Sequence, residues 1–221
     1  MMIGTGIVVL TGIFTSLSAI PLILMSRRLF LHERASGLYN TAEWYISVVL
    51  SNAAFNVVVA FIRWSLVFWF FVEKWSVVAY FFGLFVVYFA TIGAVAFIFF
   101  ISAISVDANT AITLGQQFNM VSVLFASFYI TLKNLPKLTA WITYVNPTFY
   151  YVAALEQTVF DVYPASCPIV NGTVMDDSYA CIAQAMIGAH SYNILPMALE
   201  MVVAIAFMIF THFMVWLTLS Y

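Results

Sequence analysis

Arg27-Arg28-Leu29-Phe30-Leu31-His32-Glu33-Arg34-Ala35-Ser36-Gly37-Leu38-Tyr39 is the densest run of charge in a 221-residue chain that otherwise carries very little. Three of the seven basic residues fall within its first eight positions. Apolar stretches flank it on both sides. Such a run cannot lie in hydrocarbon, because one Arg at the centre of a spanning helix costs about 2.5–3.5 kcal/mol on insertion scales. It reads as a loop or short helix at a membrane surface. The tendency of Lys and Arg to stay inside makes that surface the cytoplasmic one.

Composition agrees. The chain is 65% hydrophobic and 7% charged, with a mean hydropathy of +1.05. A soluble domain carries about 25% charge, so this chain cannot cover a water-facing surface and reads as an integral membrane protein. Aromatics make up 18%, including 22 Phe, which suits helices that face lipid or line a pore. The net charge of −2, with no basic tail, gives no sign of nucleic-acid binding. The two cysteines, Cys167 and Cys181, lie in one polar stretch. They point to a single disulfide in an oxidising compartment.

Outward from the charged run, residues 3–25 form a first apolar span. It is rich in small residues that let helices approach closely, and Pro21 is expected to kink its cytoplasmic end. Glu33-Arg34-Ala35-Ser36 could form a short interfacial helix stopped near Gly37. Further spans are expected at 44–71, 77–103, 112–131 and 194–219. Between them lie an outer turn at 72–76, a polar turn at Asp107-Ala108-Asn109-Thr110, and a break at Lys133-Asn134-Leu135-Pro136-Lys137. Residues 138–160 are apolar enough to span, yet Asn146-Pro147 sits in their middle. Pro breaks a helix, and the residue before it avoids the α region. A re-entrant pair of short helices fits as well as a full span, provided protein buries the freed backbone.

The stretch 161–192 arbitrates. Asn171-Gly172-Thr173 is a glycosylation sequon, and both cysteines flank it. These features want the non-cytoplasmic side. If the charged run is cytoplasmic, segment 132–160 must return to the outer side. The expected fold class is therefore all-α: five transmembrane helices, a re-entrant helical segment and an extracellular loop at 161–192, with the C-terminus cytoplasmic.

These residues resemble a known family. Arg28 through Tyr39 is similar to the "lFxxEraxGlY" segment of ABC transporters of the G subfamily, the White and pleiotropic-drug-resistance type. Leu135-Pro136, Trp141 through Pro147, Tyr150, Ala154-Leu155-Glu156 and Phe160 resemble that family's segment before its large external loop. The loop with two Cys around a sequon, followed by a terminal helix, is a third match. The resemblance implies helices two to six of an ABC-2 type transmembrane domain. It leaves the first helix and the ATP-binding domain unmatched, and no G-x-x-x-x-G-K-[ST] run occurs. The chain is accordingly expected to be a partial transporter or the product of a truncated gene. Two departures stand out: Phe55 where the family often has Pro, and no Gly in Ser127-Phe128-Tyr129-Ile130.

By the same resemblance, Glu33, Arg34, Gly37 and Tyr39 dock an ATP-binding domain. On charge alone the bland alternative is a run that only sets orientation. Phe14 and Thr11, with Val123, Phe125, Ala126 and Tyr129, are candidates to line an apolar substrate cavity, and Ile130 and Leu132 are candidates for an outer gate. A cavity of this kind selects by apolar area and ring stacking. The bland reading of any one Phe is lipid contact. Arg63 lies inside a span, where ionisable residues often mark function. It could equally snorkel outward or pair with Glu73 or Glu156. Glu200 and His212 lie in the last span without proton-relay spacing. His32, His190 and the cysteines lack metal-ligand spacing, so no metal and no catalytic group is expected.

The function expected is the translocating part of an ATP-driven exporter of lipids or hydrophobic small molecules, working by alternating access. The chain itself is expected not to hydrolyse ATP, with ATP and Mg held on a nucleotide-binding domain supplied elsewhere. Partners are that domain, a second transmembrane half in a homo- or heterodimer, the bilayer and a hydrophobic substrate, with the plasma membrane as the expected location. The alternative is a non-transporting truncated membrane subunit that dimerises with and regulates full-length relatives. A channel or secondary carrier would transport without ATP, and the lack of paired buried charges argues against a proton- or sodium-coupled carrier.

Overall fold

A computed structural model describes residues 8, 11–12, 14, 16–38, 40–71, 76–126, 134–160, 169–170, 173–174 and 195–220. Among them are seven helices: α1 (Ala19–Ala35), α2 (Thr41–Phe71), α3 (Val77–Ile104), α4 (Ala108–Leu124), α5 (Lys137–Val145), α6 (Pro147–Phe160) and α7 (Met197–Ser220). Three of them, α2, α3 and α7, are long and apolar enough to cross a membrane. The helices α1 and α4 have 17 residues each.

The departures from expectation begin at α1. One continuous helix runs from Ala19 through both Arg27 and Arg34 to Ala35, so the end of the first span and the short interfacial helix are a single element. The break lies earlier. Residues 17–18 form a turn, with Leu17 and Ile20 N–H on the carbonyls three residues before them. The cause is Pro21, whose ring clashes with the carbonyl four residues back, that of Leu17. The stop is where the sequence placed it. Gly37 has φ +74°, its N–H bonds Arg34 O at 3.0 Å, and Leu38 N–H bonds Glu33 O at 3.3 Å. That is the two-bond left-handed cap for which Gly is favoured.

The following helices start on chemistry visible in the sequence. Asn40 N–H donates to Glu43 Oε2 at 3.0 Å at the start of α2, half of a capping box. Ser76 accepts from Ala79 N–H ahead of α3, and Asp107 accepts from Thr110 N–H ahead of α4. Asn146 adopts φ −82°, ψ 111°, the extended geometry forced before Pro. It separates α5 from α6, which begins at Pro147 where a missing N–H costs nothing.

The centre of the assembly is α3, against which α1, α2, α4, α6 and α7 all pack. Half of its most apolar stretch is buried, against 17% for α2 and 22% for α7. The core has two parts. One gathers Trp64, Phe68, Val86, Phe149, Leu155 and Ala204. The other, nearer the charged run, gathers Ile20, Ile23, Tyr45, Ile98, Phe99 and Val215. In α6 every described side chain from Phe149 to Val159 is buried. It runs antiparallel to α7, because Tyr151 hydroxyl donates to Ala204 O and Gln157 Nε2 to Leu195 O, both at 3.3 Å.

The expected loop at 161–192 holds a feature not foreseen. Ile169–Val170 and Thr173–Val174 pair as two short antiparallel strands, β1 and β2. The residues between them in sequence, Asn171-Gly172, are the dipeptide that two-residue hairpins favour. The expected disulfide of Cys167 and Cys181 and the glycosylation at Asn171 lie outside the described residues. So do Tyr39, Tyr129, Ile130 and Leu132.

Candidate functional site

The charged end of the molecule is built on a stripe of α1. Ile20, Ile23, Arg27, Phe30 and Arg34 recur at alternating steps of three and four, so they share one face of the helix. Ile20, Ile23 and Phe30 are buried. Off this stripe, Met25, Leu29 and Leu31 are exposed. The stripe therefore points into the protein, and its two arginines must find partners there.

Both find the C-terminal end of another helix. Arg27 Nη1 donates to Ser102 O and Ser105 O, each at 3.3 Å, at the end of α3. Arg34 Nη1 donates to Leu219 O at 3.0 Å and Nη2 to Ser220 O at 3.3 Å, at the end of α7. The last carbonyls of a helix have no partner within it and carry the negative end of the helix dipole. A guanidinium supplies donors and opposite charge together. Two aromatic contacts complete this end. Phe30 stacks on Trp44 at 4.5 Å between centroids, and Tyr45 hydroxyl bonds His212 Nδ1 at 2.5 Å, which joins α2 to α7.

Beside α1 lies an open hollow of about 530 Å³, lined by Pro21, Leu24, Met25, Arg27 and Leu31 on one side and residues 104–108 on the other. Asp107 is at its rim. The hydroxyl and the N–H of Thr110 hold the Asp107 carboxyl below its ordinary value. Glu33 is half-buried and Gly37 is exposed. Thus of the four residues expected to dock an ATP-binding domain, Arg34 is turned to this chain's own last helix.

The candidate substrate residues separate. Phe14 is 46% exposed, and Thr11 is exposed, with its hydroxyl bonded to Val8 O. At the end of α4 and just after it, Val123 and Ala126 are buried in the core and Phe125 is half-buried. The open face of α4 carries Met120, Val121 and Leu124 instead. This helix packs on the α1 side through Gly115, where an added Cβ would stand 3.0 Å from Leu17 and 3.3 Å from Ile20.

Inside the spans, a Cβ on Gly12 would stand 2.6 Å from Arg63 Nη1 and 3.5 Å from Thr91 Oγ1. The arginine thus lies against the backbone of the first segment. Glu73, one of its two expected partners, lies outside the described residues. Glu156 and Glu200 are both fully buried. Asn146 Nδ2 donates to Ser122 O at 2.6 Å, and its Oδ1 accepts Thr148 N–H at 3.1 Å. Among the described residues no cluster could hold a metal ion. Sequence reasoning did not single out Arg27 or the Tyr45–His212 pair. The spacing 20, 23, 27, 30, 34 was the available signal for Arg27; nothing in the sequence pairs Tyr45 with His212.

The sequence is similar to those of known proteins. ABC transporter G family member 12 of Dictyostelium discoideum is 29% identical over 178 residues, covering 78% of this chain and 28% of that protein. ABC transporter G family member 21 of Arabidopsis thaliana is 25% identical over 190 residues, 85% of this chain and 28% of that protein. The broad substrate specificity ATP-binding cassette transporter ABCG2 of Bos taurus is 28% identical over 216 residues, 94% of this chain and 32% of that protein. The chain spans about a third or less of the length of these relatives. The family model described as ABC-2 type transporter matches residues 1–160, and with apolar helices gathered on α3 behind a charged end, this integral membrane chain belongs to the ABC-2 type transporter family.

Proposed function

We propose that the chain is the substrate-translocating membrane part of an ATP-driven exporter of lipids or hydrophobic small molecules. The observation that carries this reading is the charged helix α1, which ends on the glycine cap at Gly37 and grips the ends of two membrane helices at one face of the domain. In this reading that face is cytoplasmic. An ATP-binding domain docks there on Glu33, Gly37 and Tyr39 and over the hollow beside Asp107. The chain does not itself hydrolyse ATP. A second transmembrane half closes a cavity against Phe14 and Thr11, with Met120, Val121 and Leu124 as its α4 side. The name of the bovine relative attributes broad substrate specificity to that protein, which accords with a cavity that selects by apolar area.

The topology we infer has five spans and a re-entrant pair, α5 and α6, with an oxidised and glycosylated outer loop after it. Three observations support the re-entrant pair. The helix α6 has 14 residues, about 21 Å at 1.5 Å per residue, short of a hydrocarbon core ~30 Å thick. Its first turns lie against the middle of α7, where Tyr150 stacks on Phe207, and its last turn lies beside Leu195, away from Arg34. Its burial on all faces meets the demand that irregular backbone at membrane depth be covered by protein.

The test is ATP-dependent accumulation of a fluorescent hydrophobic solute in inside-out vesicles from cells that express the chain with its ATP-binding partner. Uptake with ATP, absent with a non-hydrolysable analogue, is expected. Uptake without ATP would make the chain a channel or carrier. Co-purification with an ATP-binding relative without uptake would make it a regulatory subunit.

A further inference from the structure

We infer that Arg27 and Arg34 are positioning residues that carry motion from α1 to the membrane helices: two guanidinium clamps, one on the end of α3 and one on the end of α7. The inference rests on the proposal that α1 receives the push of an ATP-binding domain. It adds which residues pass that push on, and to which helices.

The geometry gives the reason. A helix transmits displacement only to what it is fastened to. Here α1 is exposed along Met25, Leu29 and Leu31 and meets the protein through the stripe 20, 23, 27, 30, 34. Ile20 and Ile23 lie in the core, where the attraction between apolar side chains is not directional. The arginine contacts are directional. Each guanidinium makes two hydrogen bonds to carbonyls in fixed positions at a helix end. Arg27 and Arg34 are seven residues apart, about 10 Å along the axis at 1.5 Å per residue, and they grip different helices. A shift of α1 along its axis therefore pulls α3 and α7 together, whereas a rotation of α1 breaks both grips at once. The helix gripped by Arg27 is α3, against which all the other long helices pack, so this clamp reaches the whole domain. Arg34 reaches α7 and, through the Tyr45–His212 bond, α2.

At position 34 Lys keeps the charge but loses the two-nitrogen fork that bonds two carbonyls; at position 27, where Nη1 alone makes both bonds, Lys keeps the charge but loses the fixed planar geometry. Met keeps the length and loses both. The grading Arg, then Lys, then Met separates a directional clamp from simple attraction to the helix dipole.

The test measures solute transported per ATP hydrolysed, in the vesicles described above, for Arg27→Met, Arg34→Met, their double variant, and Arg27→Lys and Arg34→Lys. A cation at a helix end is worth about a two- to fivefold change in an equilibrium, and the ratio is expected to fall by about that much for each Met variant. The double variant should fall further and the Lys variants should be intermediate. An unchanged ratio, with transport and hydrolysis falling in parallel, overturns the inference. Hydrogen exchange of residues 214–220 in nanodiscs supplies a readout independent of transport. Arg34→Met should speed exchange of this last turn by about two- to fivefold, and Arg27→Met should leave it as it is. Exchange that does not change in Arg34→Met shows that the α7 clamp is absent, whatever the vesicles do. If the wild-type chain shows normal exchange but no ATP-driven transport, the transport proposal fails and the transmitting role falls with it.

Discussion

At one end of the domain Trp64 is wholly buried, its indole N–H donating to Tyr80 O at 2.8 Å. At the other end Arg34 is exposed and holds α7 through two hydrogen bonds. The contact around Trp64 is close: a Cβ added to Gly83 on α3 would stand 2.2 Å from its Cζ2. Within a bilayer no hydrophobic force separates helix from lipid, since the lipid tails are as apolar as Leu. Association there depends on van der Waals packing, small residues and satisfied polar groups. The Trp64 end is built that way, with aromatic rings against glycine and alanine. The charged end meets water, where apolar packing gives way and helix ends expose carbonyls, so cations on helix ends take over. The difference teaches that the far core should tolerate almost no change of shape, whereas the charged end should tolerate change of shape but not loss of donors.

Trp64→Ala should give the largest effect. It removes the ring and leaves a cavity, a change that costs about 3–5 kcal/mol in protein cores, and thermal unfolding in detergent micelles should show it. A loss no greater than that of an exposed Phe70→Ala control would break the comparison. Gly83→Ala tests the same contact from the other side. Overpacking costs about 1–3 kcal/mol, and the double variant Trp64→Phe/Gly83→Ala should recover part of it, because the two residues touch and their effects should not add. Asn146→Ala removes the donor to Ser122 O and should cost about 1–3 kcal/mol for the stranded buried carbonyl. Asn146→Asp, which keeps the acceptor for Thr148 N–H but still lacks the donor, should not restore stability.

The smallest effect is expected at the charged end. The Asp107 carboxyl is held below its ordinary value by Thr110. The cap it makes on α4 is therefore fully present above the ordinary carboxylate range, and it weakens as pH falls through the lowered value. Hydrogen exchange of the first turn of α4 should rise at acid pH in the wild type. In Asp107→Asn, which caps without titrating, that rise should be absent.

Much of this was legible in the sequence because local chemistry dictated it. Gly37 had to end α1, since a left-handed residue after a helix is strained for anything but Gly or Asn. Asn146-Pro147 had to break 137–160, for the reasons proline always breaks a helix. The apolar spans at 44–71, 77–103 and 194–219 were plain from length. What could not be read is what depends on a neighbour. That Arg27 and Arg34 would meet the ends of α3 and α7 requires residues 75 to 186 positions away. Which face of α4 and of the turn after it would be open depended on α3 and α6: nothing in the sequence separates Val123 and Ala126, which are buried, from Met120 and Leu124, which are exposed. The union of the first span with the charged helix was missed for another reason. Charge alone reads as a loop or a separate short helix at the surface, although a helix with a charged stripe satisfies its own backbone as well as any other and can continue straight out of the span.

The burial of α6 on every face has a consequence for how the chain is made. A segment whose side chains from Phe149 to Val159 are all buried, and whose entry turn leans on the Ser122 carbonyl through Asn146, has no stable place in a bilayer until α3, α4 and α7 surround it. Of these, α7 is synthesised after it. On this argument α6 waits at the membrane surface or inside the insertion machinery while the following residues emerge, and it settles only when α7 closes over it. Assembly of this domain would then run out of sequence order, and a ribosome stalled before Met197 would leave a chain whose earlier helices are inserted but whose α6 still lacks the helix that covers it.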